Sequence, residues 1–205
     1  MKDPYLYPDS ETLINLFDER DEQKFEEIEA NYTALRLRQL YDKPQMGVFD
    51  FKHLCRIHQF IFQDIFYWAG QPRIINIEKA EIALGGISVE YSDANDITKH
   101  ATAVCEEMNN ISWHLLHKDE KAEQFSIYMA KLWKVHPFRE GNTRTVITFC
   151  CDFAEEKGFQ LNKELFKDNS VYVRRALVAA SAIFTDMGDL SQPQHLIKIV
   201  RDSIM

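Results

Sequence analysis

Apolar residues recur every three to four positions along most of this sequence, and only seven glycines and six prolines in 205 residues interrupt them. Such spacing gathers apolar side chains on one face of a helix, which constrains the chain to pack helix against helix. Residues 21–41 place Phe25, Ile28, Tyr32, Leu35 and Leu40 near a 3.6-residue period, with acids early and arginines late, as the helix dipole favours. Phe51, Leu54, His58, Ile61, Phe62 and Ile65 mark a second helix, with Asp50 in position to cap it. Ile97, Ala101, Val104, Met108 and Ile111 mark a third, and Phe125, Tyr128, Met129 and Leu132 a fourth. Val146, Phe149, Cys150 and Phe153 form a buried stripe ending at Gly158. Val173, Leu177, Ala180 and Phe184 continue the pattern, and a last helix is expected after Ser191-Gln192-Pro193.

One stretch breaks the period. Between Trp68 and Asp93, residues 73–77 and 87–91 alternate as strands do, around a turn containing Gly85-Gly86. A lone hairpin is marginal unless it packs on helices or recruits another strand. The expected fold class is therefore all-α, a compact helical bundle carrying one β-hairpin.

The length suits one domain with its own core, and 45% hydrophobic with 27% charged residues is an ordinary globular composition. No apolar run approaches the ~18 residues of a membrane span, and no basic-then-apolar leader opens the chain, so a cytoplasmic protein without a membrane partner is expected. A net charge of −8 disfavours a nucleic-acid partner, because phosphate backbones are repelled. The four cysteines lack CxxC spacing and the histidines lack HExxH spacing, which leaves the cysteines as small buried hydrophobes and argues against a histidine metal centre.

The richest chemistry lies in His136-Pro-Phe-Arg-Glu-Gly-Asn-Thr-Arg144, between two helical patterns. A Gly-Asn pair at a helix start presents free N–H groups to an anion, with the dipole in support. Arg144, one turn in, can fork onto phosphate oxygens, and Glu140 offers a hard oxygen ligand for Mg²⁺. His136 can accept a proton near neutral pH. Each residue alone is better read as a cap, turn or structural histidine; their coincidence within nine residues is what points to phosphate chemistry.

This segment resembles the signature HPFx[D/E]GN[G/K]RxxR of the Fic (filamentation induced by cAMP) family. Tyr5-Leu-Tyr-Pro8, Thr33-Ala-Leu-Arg36, Phe49-Asp-Phe-Lys-His-Leu54, Ile57-His-Gln-Phe-Ile-Phe-Gln-Asp64 and Trp68-Ala-Gly-Gln-Pro-Arg73 are similar to the family's approach to it. The resemblance implies a Fic fold with a core at about residues 5–160 and helices at 161–205, one domain over 1–205. It further implies transfer of AMP from ATP-Mg²⁺ to a Ser, Thr or Tyr hydroxyl of a target protein. His136 is then the base, Glu140 the metal ligand, and Gly141, Asn142 and Thr143 the anion cradle, with Asn142 reaching the α-phosphate. Arg144 binds the phosphate chain, Phe138 orients the loop, and Arg139 belongs with the nucleotide site. The hairpin becomes a flap that clamps the target by backbone pairing, through Ile74, Ile75, Asn76, Ile77 and Glu78 on one arm and Ile87, Ser88, Val89 and Glu90 on the other.

Two departures stand out. Thr143 replaces the usual glycine; it is strained if the position needs positive φ, and adds a hydroxyl if the position is helical. Ile147 stands where a second arginine contacts the γ-phosphate, with Arg139, Arg174 and Arg175 as candidates to compensate. The inhibitory [S/T]xxxE[G/N] helix of the family is absent from the sequence, so control by a separate antitoxin is expected. The competing functions are transfer of another phosphate-containing group and a non-catalytic Fic-fold interaction module.

Overall fold

The computed structural model describes residues 3–205; the first two residues of the expected domain lie outside the described residues. Eight helices account for most of it: α1 (Glu22–Asp42), α2 (Phe51–Phe62), α3 (Ile97–Asn109), α4 (Lys118–Val135), α5 (Asn142–Glu156), α6 (Lys163–Asp168), α7 (Ser170–Ala180) and α8 (Gln194–Ser203). Short 3₁₀ turns lie at Ile82–Leu84 and Trp113–Leu115. Among the described residues no helix is long and apolar enough to cross a membrane.

Helix α4 is the hub and packs against α3, α5, α7 and α8, while α2 lies against α5 and α1 covers α2. The core is aromatic: Trp113 meets Phe125 and Phe153 edge to face, Phe125 meets Phe159 likewise, and Phe49 packs on Phe149 and Phe153. The cap expected at Asp50 forms, its carboxylate accepting from the His53 N–H at 2.7 Å. Cys105, Cys150 and Cys151 are buried and all four thiols are free.

Three sequence expectations are corrected. On α1 the inward residues are Phe25, Thr33 and Leu40, whereas Tyr32 and Leu35 are exposed. The buried face of this helix is partly polar, so apolar periodicity alone misplaces it. The helix through Val173 ends at Ala180; Phe184 instead belongs to β1 (Ile183–Phe184), which pairs antiparallel with β2 (Gly188–Asp189). The expected hairpin keeps its turn at Gly85-Gly86, but its arms carry no strand ladder. Glu81 N–H reaches Ile87 C=O at 3.3 Å, and the next pairing position is taken by a side chain, with Lys79 N–H donating to Ser88 Oγ at 3.0 Å. The alternating residues find no neighbouring strand, and their polar groups go to side chains instead.

Candidate active site

The motif loop is positioned by both ends of neighbouring helices. Helix α4 ends at Val135, and His136 is its C-cap in the left-handed region, with φ 49° and ψ 58°. A non-glycine residue there costs about 1–2 kcal/mol, and such strain concentrates at functional sites. The twist turns the imidazole off the helix face and onto Tyr91, with ring centroids 4.0 Å apart. Its Nδ1–H donates to Trp133 C=O at 3.3 Å, which leaves Nε2 as the basic nitrogen. Nε2 is buried with no partner. Burial, with Lys79 nearby, holds the imidazole pKa well below its ordinary value, so the ring is neutral.

Helix α5 begins immediately after Gly141, whose φ of 80° suits glycine. A β-carbon there would lie 2.2 Å from the Phe62 ring, so two separate constraints demand glycine. Asn142 is buried and turned back into the loop: Phe138 N–H donates to its Oδ1 at 2.9 Å, and its Nδ2 donates to Phe138 C=O at 2.7 Å. What Asn142 presents to an anion is thus its main-chain N–H. Thr143 lies within the helix, and positive φ is absent from it. Its Oγ1 accepts from Trp133 Nε1 at 2.9 Å, which keeps the hydroxyl proton for another acceptor. The helical alternative holds.

Glu140 and Arg144 are one turn apart, 3.9 Å between charged groups. Lys79 donates to Glu140 Oε2 at 3.0 Å and Gly141 N–H to Oε1 at 2.9 Å. Desolvation would raise the Glu140 carboxyl, but Lys79, the Gly141 N–H and Arg144 outweigh it and take the pKa to about 2. Arg144 is seated over the Phe62 ring at 4.9 Å and paired with Glu29 of α1 at 2.6 Å. His136, Glu140, Gly141, Asn142, Thr143 and Arg144, with Lys79 and Arg174, line one cavity of about 330 Å³.

Of the remaining motif residues, Phe138 takes the loop-orienting place expected of it, and Arg139 lies away from the nucleotide cavity. Phe138 is fully buried, stacked on His58 at 3.8 Å, where it anchors the loop behind the cavity of His136 and Arg144. Arg139 is drawn away by Asp3, at 2.9 Å, and lines a second cavity of about 640 Å³ with Ile74, Ile75, Asn76, Ile77, Glu78 and Lys79. On the flap, the two arms differ. Ile77 and Glu78 make no main-chain hydrogen bond among the described residues, whereas Val89 is buried and its C=O accepts from Tyr91 N–H at 3.0 Å. Glu90 accepts from Thr185 N–H at 2.8 Å and from Thr185 Oγ1 at 2.6 Å, and Ile87 is exposed near the turn.

Sequence reasoning missed the residues that support the loop from a distance. Arg73 is buried and donates to His136 C=O at 2.9 Å, to Ile75 C=O at 2.6 Å and to Ser92 C=O, tying both ends of the flap to the motif. His58 donates through Nε2 to Glu140 C=O at 3.0 Å and accepts from Gly70 N–H at 2.8 Å, a neutral ring whose pKa burial lowers to about 3. Both lie in segments similar to the family's, and His58 also in an apolar stripe, but neither signal gave the contact each side chain makes.

The geometry has known counterparts. The Fic/DOC family matches residues 48–154. A probable protein adenylyltransferase of Sinorhizobium fredii is 31% identical over 166 residues, covering 80% of this chain and 81% of that one. The chain belongs to the Fic/DOC family. The protein adenylyltransferase VbhT of Bartonella schoenbuchensis is 29% identical over 162 residues, 78% of this chain; the match spans 32%, about a third, of VbhT's length. The crystal structure of Bartonella tribocorum BepC with bound AMPPNP superposes with a TM-score of 0.79 at 21% identity, covering 98% of this chain and 96% of that one. The Fic fold is thus shared along the chain, the C-terminal helices included. Among the described residues no three His, Cys, Asp or Glu side chains cluster to hold a metal, so any cation here relies on few protein ligands.

Proposed function

We propose that this Fic protein is a protein adenylyltransferase, moving AMP from ATP to a hydroxyl of a target protein and releasing pyrophosphate. The observation that carries this reading is His136 itself: the residue lines the cavity at the N-terminus of α5, its ring is neutral, and its Nε2 is buried without a partner. Relatives named protein adenylyltransferase and the AMPPNP bound to BepC support the nucleotide and the reaction. The reading treats residues 5–160 and the helices of 161–205 as one catalytic unit.

In this scheme Nε2 of His136 takes the proton from the target hydroxyl as its oxygen attacks the α-phosphorus. The bond from that phosphorus to the bridging oxygen breaks, and pyrophosphate departs. Positioned base catalysis of this kind is worth ~10²–10⁴-fold. Gly141, the main-chain N–H of Asn142, and Thr143 cradle the phosphates, with Arg144 on their oxygens. Glu140 suits one Mg²⁺ contact, because its carboxylate stays ionised and faces the cavity; the cation, when bound, offsets phosphate charge. On the first flap arm, Ile74 to Glu78, the main chain of Ile77 and Glu78 is open to a target strand, and the braced second arm, Ile87 to Glu90, supports it. Control by a separate antitoxin remains part of the proposal.

The test is incubation of a lysate with labelled ATP, Mg²⁺ and either wild-type or His136→Ala protein, followed by mass mapping of modified peptides. AMP adducts in the wild type alone are expected. A bare phosphate adduct would assign another transfer, and turnover by the variant would remove His136 from its role.

A further inference from the structure

Ile147, one turn beyond Thr143 on α5, packs partly buried against the core and brings no charge to the cavity. Three arginines lie near enough in sequence or pattern to supply one, and the structure separates them. Arg139 faces the flap cavity under the pull of Asp3. Arg175 is exposed and lines neither cavity. Arg174 of α7 lines the cavity of His136, Glu140 and Arg144.

Arg174 is also held in place. Its Nη2 donates to Glu81 Oε1 at 2.8 Å, and Glu81 is buried, further fixed by the Tyr91 hydroxyl donating to it at 3.4 Å. A guanidinium has five N–H donors in a rigid fork, and Glu81 engages one end of this one. The rest remain for a ligand. Lys79, Arg144 and Arg174 bring three cations to the cavity wall, where Glu140 is the one carboxylate, while Glu29 and Glu81 pair with Arg144 and Arg174 from outside the lining. Donors from three separate cations suit a ligand carrying several phosphates better than one carrying a single phosphate.

We propose that Arg174 binds the leaving-group phosphates of the nucleotide, oriented by Glu81, in place of a charge that Ile147 cannot provide. The inference rests on the nucleotide reading of this cavity and adds which residue grips the pyrophosphate end. Glu81 and Tyr91 are positioning residues: they act through Arg174 and His136, and Tyr91 joins the two by stacking on the imidazole.

The experiment is calorimetric titration of ATP, ADP and AMP, each with Mg²⁺, into the wild type, Arg174→Ala and Arg174→Lys. Loss of a charge-assisted contact weakens ATP binding roughly 10–100-fold. Affinity for AMP is expected to stay unchanged in Arg174→Ala, and Arg174→Lys to recover part of the ATP affinity. The double variant Glu81→Ala/Arg174→Ala removes the buried carboxylate with its partner and is expected to show the same selective loss, which guards against misfolding as the cause. ATP binding unaltered by Arg174→Ala, or an equal loss for ATP and AMP, overturns the role of Arg174 while the nucleotide reading stands. No binding of any of the three by the wild type overturns both.

Discussion

Arg73 Nε donates to the main-chain carbonyl of His136 at 2.9 Å, so a buried guanidinium on the flap's base sets the backbone of the proposed base. The same side chain satisfies the Ile75 and Ser92 carbonyls. Removing it orphans one buried and two part-buried acceptors, and Arg73→Met is expected to lower stability by about 2–5 kcal/mol. Arg73→Lys, a point donor without the fork, is expected to retain more of the stability than of the AMP transfer. Thermal melts alongside transfer rates check this; a lysine variant with full activity would show that the clamp does not set His136.

Gly141→Ala is expected to destabilise by roughly 2–5 kcal/mol, since it adds a left-handed β-carbon and drives it into the Phe62 ring. Gly158 separates the two effects. Its φ is 83° and an added β-carbon meets nothing within 4 Å, so Gly158→Ala carries backbone strain alone, about 1–2 kcal/mol. Equal melting temperatures for the two variants would remove Phe62 from the argument.

In the proposed reaction Lys79, which donates to Glu140 Oε2 at 3.0 Å, would compete with a Mg²⁺ held by that carboxylate. Lys79→Met is therefore expected to lower the Mg²⁺ concentration for half-maximal transfer by roughly two- to fivefold, the range of a partly exposed ion pair. Glu140→Gln is expected to abolish Mg²⁺-dependent transfer. A magnesium titration unchanged in both variants would exclude Glu140 as a metal contact.

Acid is expected to destabilise the fold before its carboxylates titrate. The folded pKa of His58 lies at about 3 against an ordinary 6.5, so below 6.5 the unfolded chain binds a proton that the folded one refuses. Its cost grows by about 1.4 kcal/mol per pH unit from about 6.5 down to about 3, and it is absent above that window. Glu140, at about 2 against 4.5, adds loss in the same direction only below 4.5. Urea midpoints at neutral and mildly acidic pH, with His58→Gln as the comparison, measure the slope; an equal slope in both proteins would mean that His58 titrates freely.

The helices and the motif loop were legible because each is written in contiguous residues: stripes at helical spacing, Asp50 before Phe51, and His136 to Arg144 in one run. What surrounds the loop was not. Lys79, Arg73, His58, Glu29 and Arg174 come from separate segments, and a lone charge has no local pattern that reveals its partner. On α1 the inward positions Glu29 and Thr33 are polar because they face Arg144, so Phe25 and Leu40 were placed correctly and Tyr32 and Leu35 were not. Alternation at 73–77 reported which side chains face in and out, while at 87–91 Ile87 breaks it by being exposed; ladder formation further depends on a partner strand, and none is formed beside these arms among the described residues. Residues 183–189 went unread as a hairpin because two-residue strands are too short to alternate.

At residue 136 the interests of folding and of chemistry diverge. Asparagine or glycine would settle into that left-handed bend with less strain, and glycine would do so without a sequestered nitrogen lacking a mate. A library screened for heat resistance alone should accordingly drift toward those residues, yielding sturdier and inert descendants, so persistence of the imidazole under such a regime would have to be enforced by the reaction itself.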